Sequence, residues 1–80
     1  MSETEIQIFR AVFRYFAAHP SPPPITDLEA STAWWLSAAK DIGELSASWG
    51  NQSLIMKLLS AVYEYLEEKA KEATRNAQSL

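Results

Sequence analysis

Apolar residues recur at three- and four-residue intervals in three stretches of this chain, and two breaks divide them. In the first stretch Ile6, Phe9, Val12, Phe13 and Phe16 follow helical spacing, and Ile8 and Tyr15 widen the face they make. At about 100° per residue the apolar arc spans roughly 200°, wide for one surface helix of a small domain. Ser2 and Glu5 form the capping-box pattern S-x-x-E, so the spacing predicts a helix over about residues 3–18. Arg10 and Arg14 fall on the polar side, one turn apart.

In the second stretch Leu28, Trp35, Ile42 and Trp49 are spaced by seven, with Ala38 and Leu45 at the alternate positions. That is a heptad-like seam suited to antiparallel packing. Thr26 and Glu29 repeat the capping-box pattern, and Asp27 and Glu29 set negative charge at the positive end of the helix dipole. A helix over about residues 27–48 follows. Small Ala38 and Ala39 allow a neighbour to approach closely. Trp34 falls at the edge of the seam, and Leu36 on the opposite, polar side.

In the third stretch Ile55, Leu58, Leu59, Val62, Leu66, Ala70 and Ala73 form a stripe flanked by Tyr63 and Tyr65. Glu64, Glu67, Glu68, Lys71 and Arg75 make the polar face. The predicted helix covers about residues 54–76, and Ala77 to Leu80 are expected to fray. The breaks carry clear chemistry. Pro20, Pro22, Pro23 and Pro24 forbid helix and favour an extended link. Gly50 suits the left-handed position that ends a helix, and Asn51 or Ser53 can cap the next. The expected architecture is all-α: a three-helix, bundle-like single domain over residues 1–80. Helices 2 and 3 form an antiparallel hairpin, and helix 1 packs across it.

Composition narrows the function. A chain of 80 residues buries only about 60–65% of its unfolded surface, so stability rests on helix packing. There is no cysteine, hence no disulfide and no thiolate ligand. The formal net charge of −3 opposes approach to nucleic acid. The N-terminus does not read as a secretory signal, and no apolar run approaches the roughly 18–20 residues that span a bilayer. A cytoplasmic location is expected. Catalytic chemistry is sparse. His19, the one histidine, reads as a solvated loop residue. Glu64, Glu67 and Glu68 read as a solvated face. Gly43 and Gly50 stand alone, so no glycine-rich loop cradles phosphate. The expectation is a protein that is not an enzyme and that holds no metal or cofactor.

The aromatic and apolar surplus points to contact surfaces. Trp34 and Leu36, with Ile8 and Tyr15, form the candidate partner surface. The surplus apolar arc of helix 1 has two explanations. Either the proline loop folds back over it, using Ile25 and the proline rings, or another protein covers it, a second copy of the chain included. Arg10 and Arg14 are the candidate phosphate contacts, set against a reading as solvated or paired arginines. The Pro22–Pro24 run sets the angle between helices 1 and 2, or serves as a ligand for an aromatic groove.

The stretch from Trp34 to Lys71, WWLSAAKDIGELSASWGNQSLIMKLLSAVYEYLEEKAK, also resembles small proteins encoded in prophages and related mobile elements of Gram-positive bacteria. In these an aromatic-led helix, a short Gly/Asn turn and a helix ending like AVYEYLEEK follow one another. The resemblance covers about half the chain and implies a helical fold and a phage context, with no catalytic residue. The function expected is a non-catalytic protein-interaction module, as an accessory protein of a phage or mobile element. The alternatives are a nucleic-acid accessory protein using Arg10 and Arg14, and a self-assembling structural subunit.

Overall fold

The computed structural model describes residues 1–19 and 21–78. Pro20 of the proline run, and Ser79 and Leu80 of the tail expected to fray, lie outside the described residues. Three helices follow one another: α1 over Glu3–Ala18, α2 over Leu28–Ser48 and α3 over Ser53–Gln78. There is no strand among the described residues. The fold is all-α, as the three periodic stretches require.

The helix starts follow from local chemistry. Ser2 caps α1: its hydroxyl accepts from the Glu5 N–H at 3.2 Å, and Glu5 accepts from the Ser2 N–H at 2.7 Å. The Ser2 N–H, and then its hydroxyl, hold the Glu5 carboxyl below its ordinary range. α2 begins one residue later than the Thr26–Glu29 pattern predicts. Its cap is Asp27, whose carboxylate accepts from the Ala30 N–H at 3.2 Å. Aspartate at this position satisfies an orphan donor and also opposes the helix dipole, which threonine does not.

The turn between α2 and α3 is a complete Schellman motif. The Gly50 N–H donates to the Ala47 carbonyl at 3.0 Å, and the Asn51 N–H to the Ser46 carbonyl at 2.9 Å. Gly50 takes φ 66° and Asn51 φ 53°, two left-handed residues in succession. The Asn51 side chain turns back to accept from the buried Ser46 hydroxyl at 2.8 Å, so it finishes α2 instead of capping α3.

α3 is the spine. α1 packs along it more extensively than α2 does. The core joins Ile8, Val12 and Tyr15 of α1 to Ile55, Leu59 and Leu66 of α3, while Ala38 of α2 and Ala70 of α3 are equally sealed. Burying each large aliphatic side chain contributes about 1.5–3 kcal/mol. On α2 the packed positions run Ser31, Trp35, Ala38, Ile42, Leu45 and Trp49. The heptad seam is therefore real from Ser31 onward. Leu28, its expected first member, is 73% exposed, because the first turn of α2 projects beyond the seam.

Residues 21–24 are neither helix nor strand. Pro22 is buried, and the Ile25 N–H donates to the Thr74 hydroxyl of α3 at 2.9 Å. Thr74 passes the bond on to the Ala70 carbonyl at 2.8 Å. The link thus lies against the C-terminal half of α3. No helix among the described residues is long and apolar enough to cross a membrane.

Candidate functional site

α1 carries two apolar arcs side by side, and only one of them is used by the core. Ile8, Val12 and Tyr15 are buried, with Ile8 only 1% exposed. Ile6, Phe9 and Phe13, about 130° further round the helix, face solvent. Phe13 is 72% exposed. This corrects two members of the expected partner surface. Ile8 and Tyr15 are core residues, so no partner can reach them in the folded chain. Of the five residues that first defined the face, Val12 and Phe16 pack on the core, and Ile6, Phe9 and Phe13 form its uncovered edge. Periodicity is satisfied by both arcs, so it does not choose between them. Tyr15 tips the choice, since its hydroxyl finds the Ala38 carbonyl of α2 at 3.0 Å.

The uncovered arc borders a shallow apolar groove between α1 and α3. Phe9, Val12, Phe13 and Phe16 line it from α1, and Val62 from α3. Phe16 stacks on Tyr65 of α3 with ring centroids 5.8 Å apart, and the Lys69 ammonium lies 5.6 Å from both ring centres. The apolar surface therefore continues from α1 onto α3. The proline link does not cover it: Ile25 lies beside Trp35, Tyr63 and Ala70 and is itself half-exposed, while Phe13 stays 72% exposed. Of the two explanations for the surplus arc, self-coverage by the link is thus removed.

Glu3, Arg10 and Arg14 run along one flank of the stripe, all three exposed. None of them makes an ion pair among the described residues. Arg10 and Arg14 are therefore free to meet an external acidic group.

The other two members of the expected surface do not join it. Trp34 is half-buried on α2, edge-on to Trp35 at 4.7 Å and to His19 at 6.1 Å. Trp35 in turn meets Tyr63 at 5.2 Å. Leu36 is 68% exposed, about 160° round α2 from Trp34. The two form no common patch.

His19 is the residue that sequence reasoning placed wrongly. It is the C-cap of α1 and is largely enclosed, not solvated. Its ring stacks on Tyr15 with centroids 4.2 Å apart. Nδ1 lies 2.8 Å from the Tyr15 carbonyl oxygen and Nε2 lies 3.0 Å from Asp41 Oδ2. Both oxygens only accept, so the two contacts are both hydrogen bonds in the imidazolium form. The four-residue spacing of Tyr15 and His19 at a helix end was the available signal. With both ring nitrogens engaged by structural partners, His19 joins α1 to α2 and offers neither nitrogen to a substrate. Beneath it, burial, then the Asp41 carboxylate and then Tyr63 push the Tyr15 phenol up to about 12.

Among the described residues no three His, Asp or Glu side chains converge as a metal-binding set. Glu64, Glu67 and Glu68 are exposed on α3. Comparison with known proteins gives no match: no family model, no curated protein and no solved structure is significantly similar to the chain.

Proposed function

We propose that this chain is a non-catalytic protein-interaction domain that docks through the outward arc of α1. The observation that carries the reading is the solvent-facing row Ile6, Phe9 and Phe13, continued by Phe16 and Tyr65, on a helix whose neighbouring arc already fills the core. A contiguous apolar patch of this kind on a small domain marks a contact surface. Large aromatic side chains in it supply the anchors on which interfaces depend. The phage or mobile-element context belongs to the same proposal and is supported by the likeness of residues 34–71. A cytoplasmic site of action is supported by a chain without cysteine.

The test is position-specific photo-crosslinking in cells that express the chain. A photoreactive phenylalanine analogue replaces Phe13, and in a control it replaces Glu68 on the polar face of α3. Adducts from position 13 and not from position 68 support the reading. No adduct from position 13, or the same adducts from both positions, defeats it.

A further inference from the structure

We propose that the cleft between α2 and α3 is a binding site for a small amphipathic organic cation, an alkyl or aryl ammonium. The site lies apart from the α1 docking face and does not depend on it.

α2 and α3 follow one another in the chain, yet they pack on each other less extensively than α1 and α3 do. Ala39 and Gly43, one turn apart on α2, are small enough to let a neighbouring helix close up. The space above Gly43 stays empty instead: a Cβ built there would meet no atom within 4 Å. The cleft that results has a volume of about 610 Å³. That lies inside the roughly 300–1,000 Å³ range of small-molecule sites.

The lining divides by chemistry. Ile42 of α2 and Met56, Leu59 and Tyr63 of α3 give an apolar floor. Leu59 is fixed in the core, whereas Met56 is half-exposed and its flexible thioether adapts to an apolar guest. Glu64 and Glu67 are the charged groups of the lining, and no basic residue joins them. They stand three positions apart on α3, so two like charges are neighbours. Neither has an ion-pair partner among the described residues. Lys57 and Lys71 border adjoining hollows, which share Glu64 and Glu67 one each, and neither lysine lines the cleft itself. A guest that suits both parts of the lining carries an apolar body and a positive head. An anionic amphiphile would meet two carboxylates, and a bare inorganic cation would leave the floor unused.

The test titrates the isotope-labelled full chain with octyltrimethylammonium and with octyl sulfate, both below their micelle-forming concentrations. The probes share a chain length and differ in the sign of the head group. The cation should shift the amide signals of Gly43, Ser60 and Tyr63 saturably, with a dissociation constant on the order of 1 mM for a ligand of this size. The sulfate should bind at least about fivefold more weakly, and added salt should narrow the gap. Gly43→Leu, and Ser60→Leu from the opposite wall, should fill the cleft and weaken the cation at least about tenfold. Both positions are exposed on helices, so the variants should fold, which far-UV circular dichroism checks. Phe13→Ser on α1 should leave the affinity unchanged.

A pair of double variants separates the site from the overall charge. Glu64→Gln with Glu67→Gln should erase the preference for the cation. Glu68→Gln with Glu72→Gln removes the same charge outside the cleft and should keep it. Loss of the preference in both pairs would reduce it to the net charge of −3 and overturn the proposal. Equal affinity for the two probes, shifts confined to α1, undiminished binding by both filled variants, or no binding of either probe overturns it too. A Leu- and Lys-rich helical peptide that shifts the same signals where the small cation does not would reassign the cleft to a protein partner, with the same result.

Discussion

His19 at the end of α1 and Asp41 within α2 are 22 positions apart in sequence, yet their side chains meet at 3.0 Å. The contact closes the end of α1 that the proline link would otherwise leave free to swing. The two partners are unequal. His19 also stacks on Tyr15 and donates to the Tyr15 carbonyl, whereas the Asp41 side chain is 42% exposed.

The unequal surroundings give the first prediction. Replacing His19 with Ala should cost about 1–3 kcal/mol, from a lost stack and a lost part-buried hydrogen bond. Asp41→Ala should cost only about 0.5–1 kcal/mol, because solvent screens its share of the pair. The coupling energy from the double-mutant cycle should fall in the lower range. Urea unfolding at constant pH checks all three. Equal single losses would mean that the Tyr15 contacts contribute nothing.

Tyr15 gives a pH dependence of definite sign. Its phenol titrates at about 12 in the folded chain, raised from an ordinary value of 10.0. The folded state therefore holds the proton more tightly than the unfolded state does. Its contribution is fully present below pH 10, the unfolded value, and is lost as pH rises toward 12. The loss is on the order of 2 kcal/mol. Tyr15→Phe is the reference, since it lacks this phenol and shares every other group. That variant gives up the bond to the Ala38 carbonyl and should be less stable by about 1 kcal/mol at neutral pH. Its stability should then fall less steeply between pH 10 and 12 than that of the unaltered chain. Parallel slopes in thermal melts across that window would contradict the prediction.

The two glycines should respond to alanine in opposite directions. Gly50 occupies φ 66° in the Schellman turn, and an added Cβ there would meet no atom within 4 Å. Its alanine variant suffers only from the left-handed backbone and should lose about 1–2 kcal/mol. Gly43 lies inside α2 with normal helical geometry and equally open space around a Cβ. Gly43→Ala should gain about 0.5–1 kcal/mol by restricting the unfolded chain and raising helix propensity. Melting midpoints of the two variants, measured side by side, decide the matter.

The helices and their ends were legible because capping and breaking residues act locally. Ser2 with Glu5, and Gly50 in the turn, need no tertiary information to be recognised. The stripe of α3 was legible too, since Ile55, Leu59, Leu66 and Ala70 form a single arc with glutamates opposite. On α1 the pattern allowed two packed arcs, and the choice fell to a tertiary contact, the Tyr15 hydroxyl on Ala38. His19 was missed for the same reason. Its partner Asp41 is a polar residue of an apparently solvated α2 face, and nothing in the sequence brings the two together. Leu28 kept the heptad spacing but lay beyond the end of the packed region, which spacing alone does not reveal.

The last prediction separates the two arcs of α1 by experiment. Ile8 and Phe13 obey the same periodicity on the same helix, yet one is sealed in the core and the other is 72% exposed. Ile8→Ala should remove a side chain from a packed site and cost about 2–5 kcal/mol, enough to threaten the fold of a small domain. Phe13→Ser should change the stability of the isolated chain by less than about 0.5 kcal/mol, as surface substitutions do. Association adds a second signature. If two copies dock through this arc, the melting midpoint of the unaltered chain rises with protein concentration, because dimerisation stabilises the folded state by mass action. Phe13→Ser should flatten that dependence while keeping the dilute-limit midpoint. A large loss of stability from Phe13→Ser at high dilution would show that the outward ring supports the fold itself, and the docking assignment for α1 would fall with it.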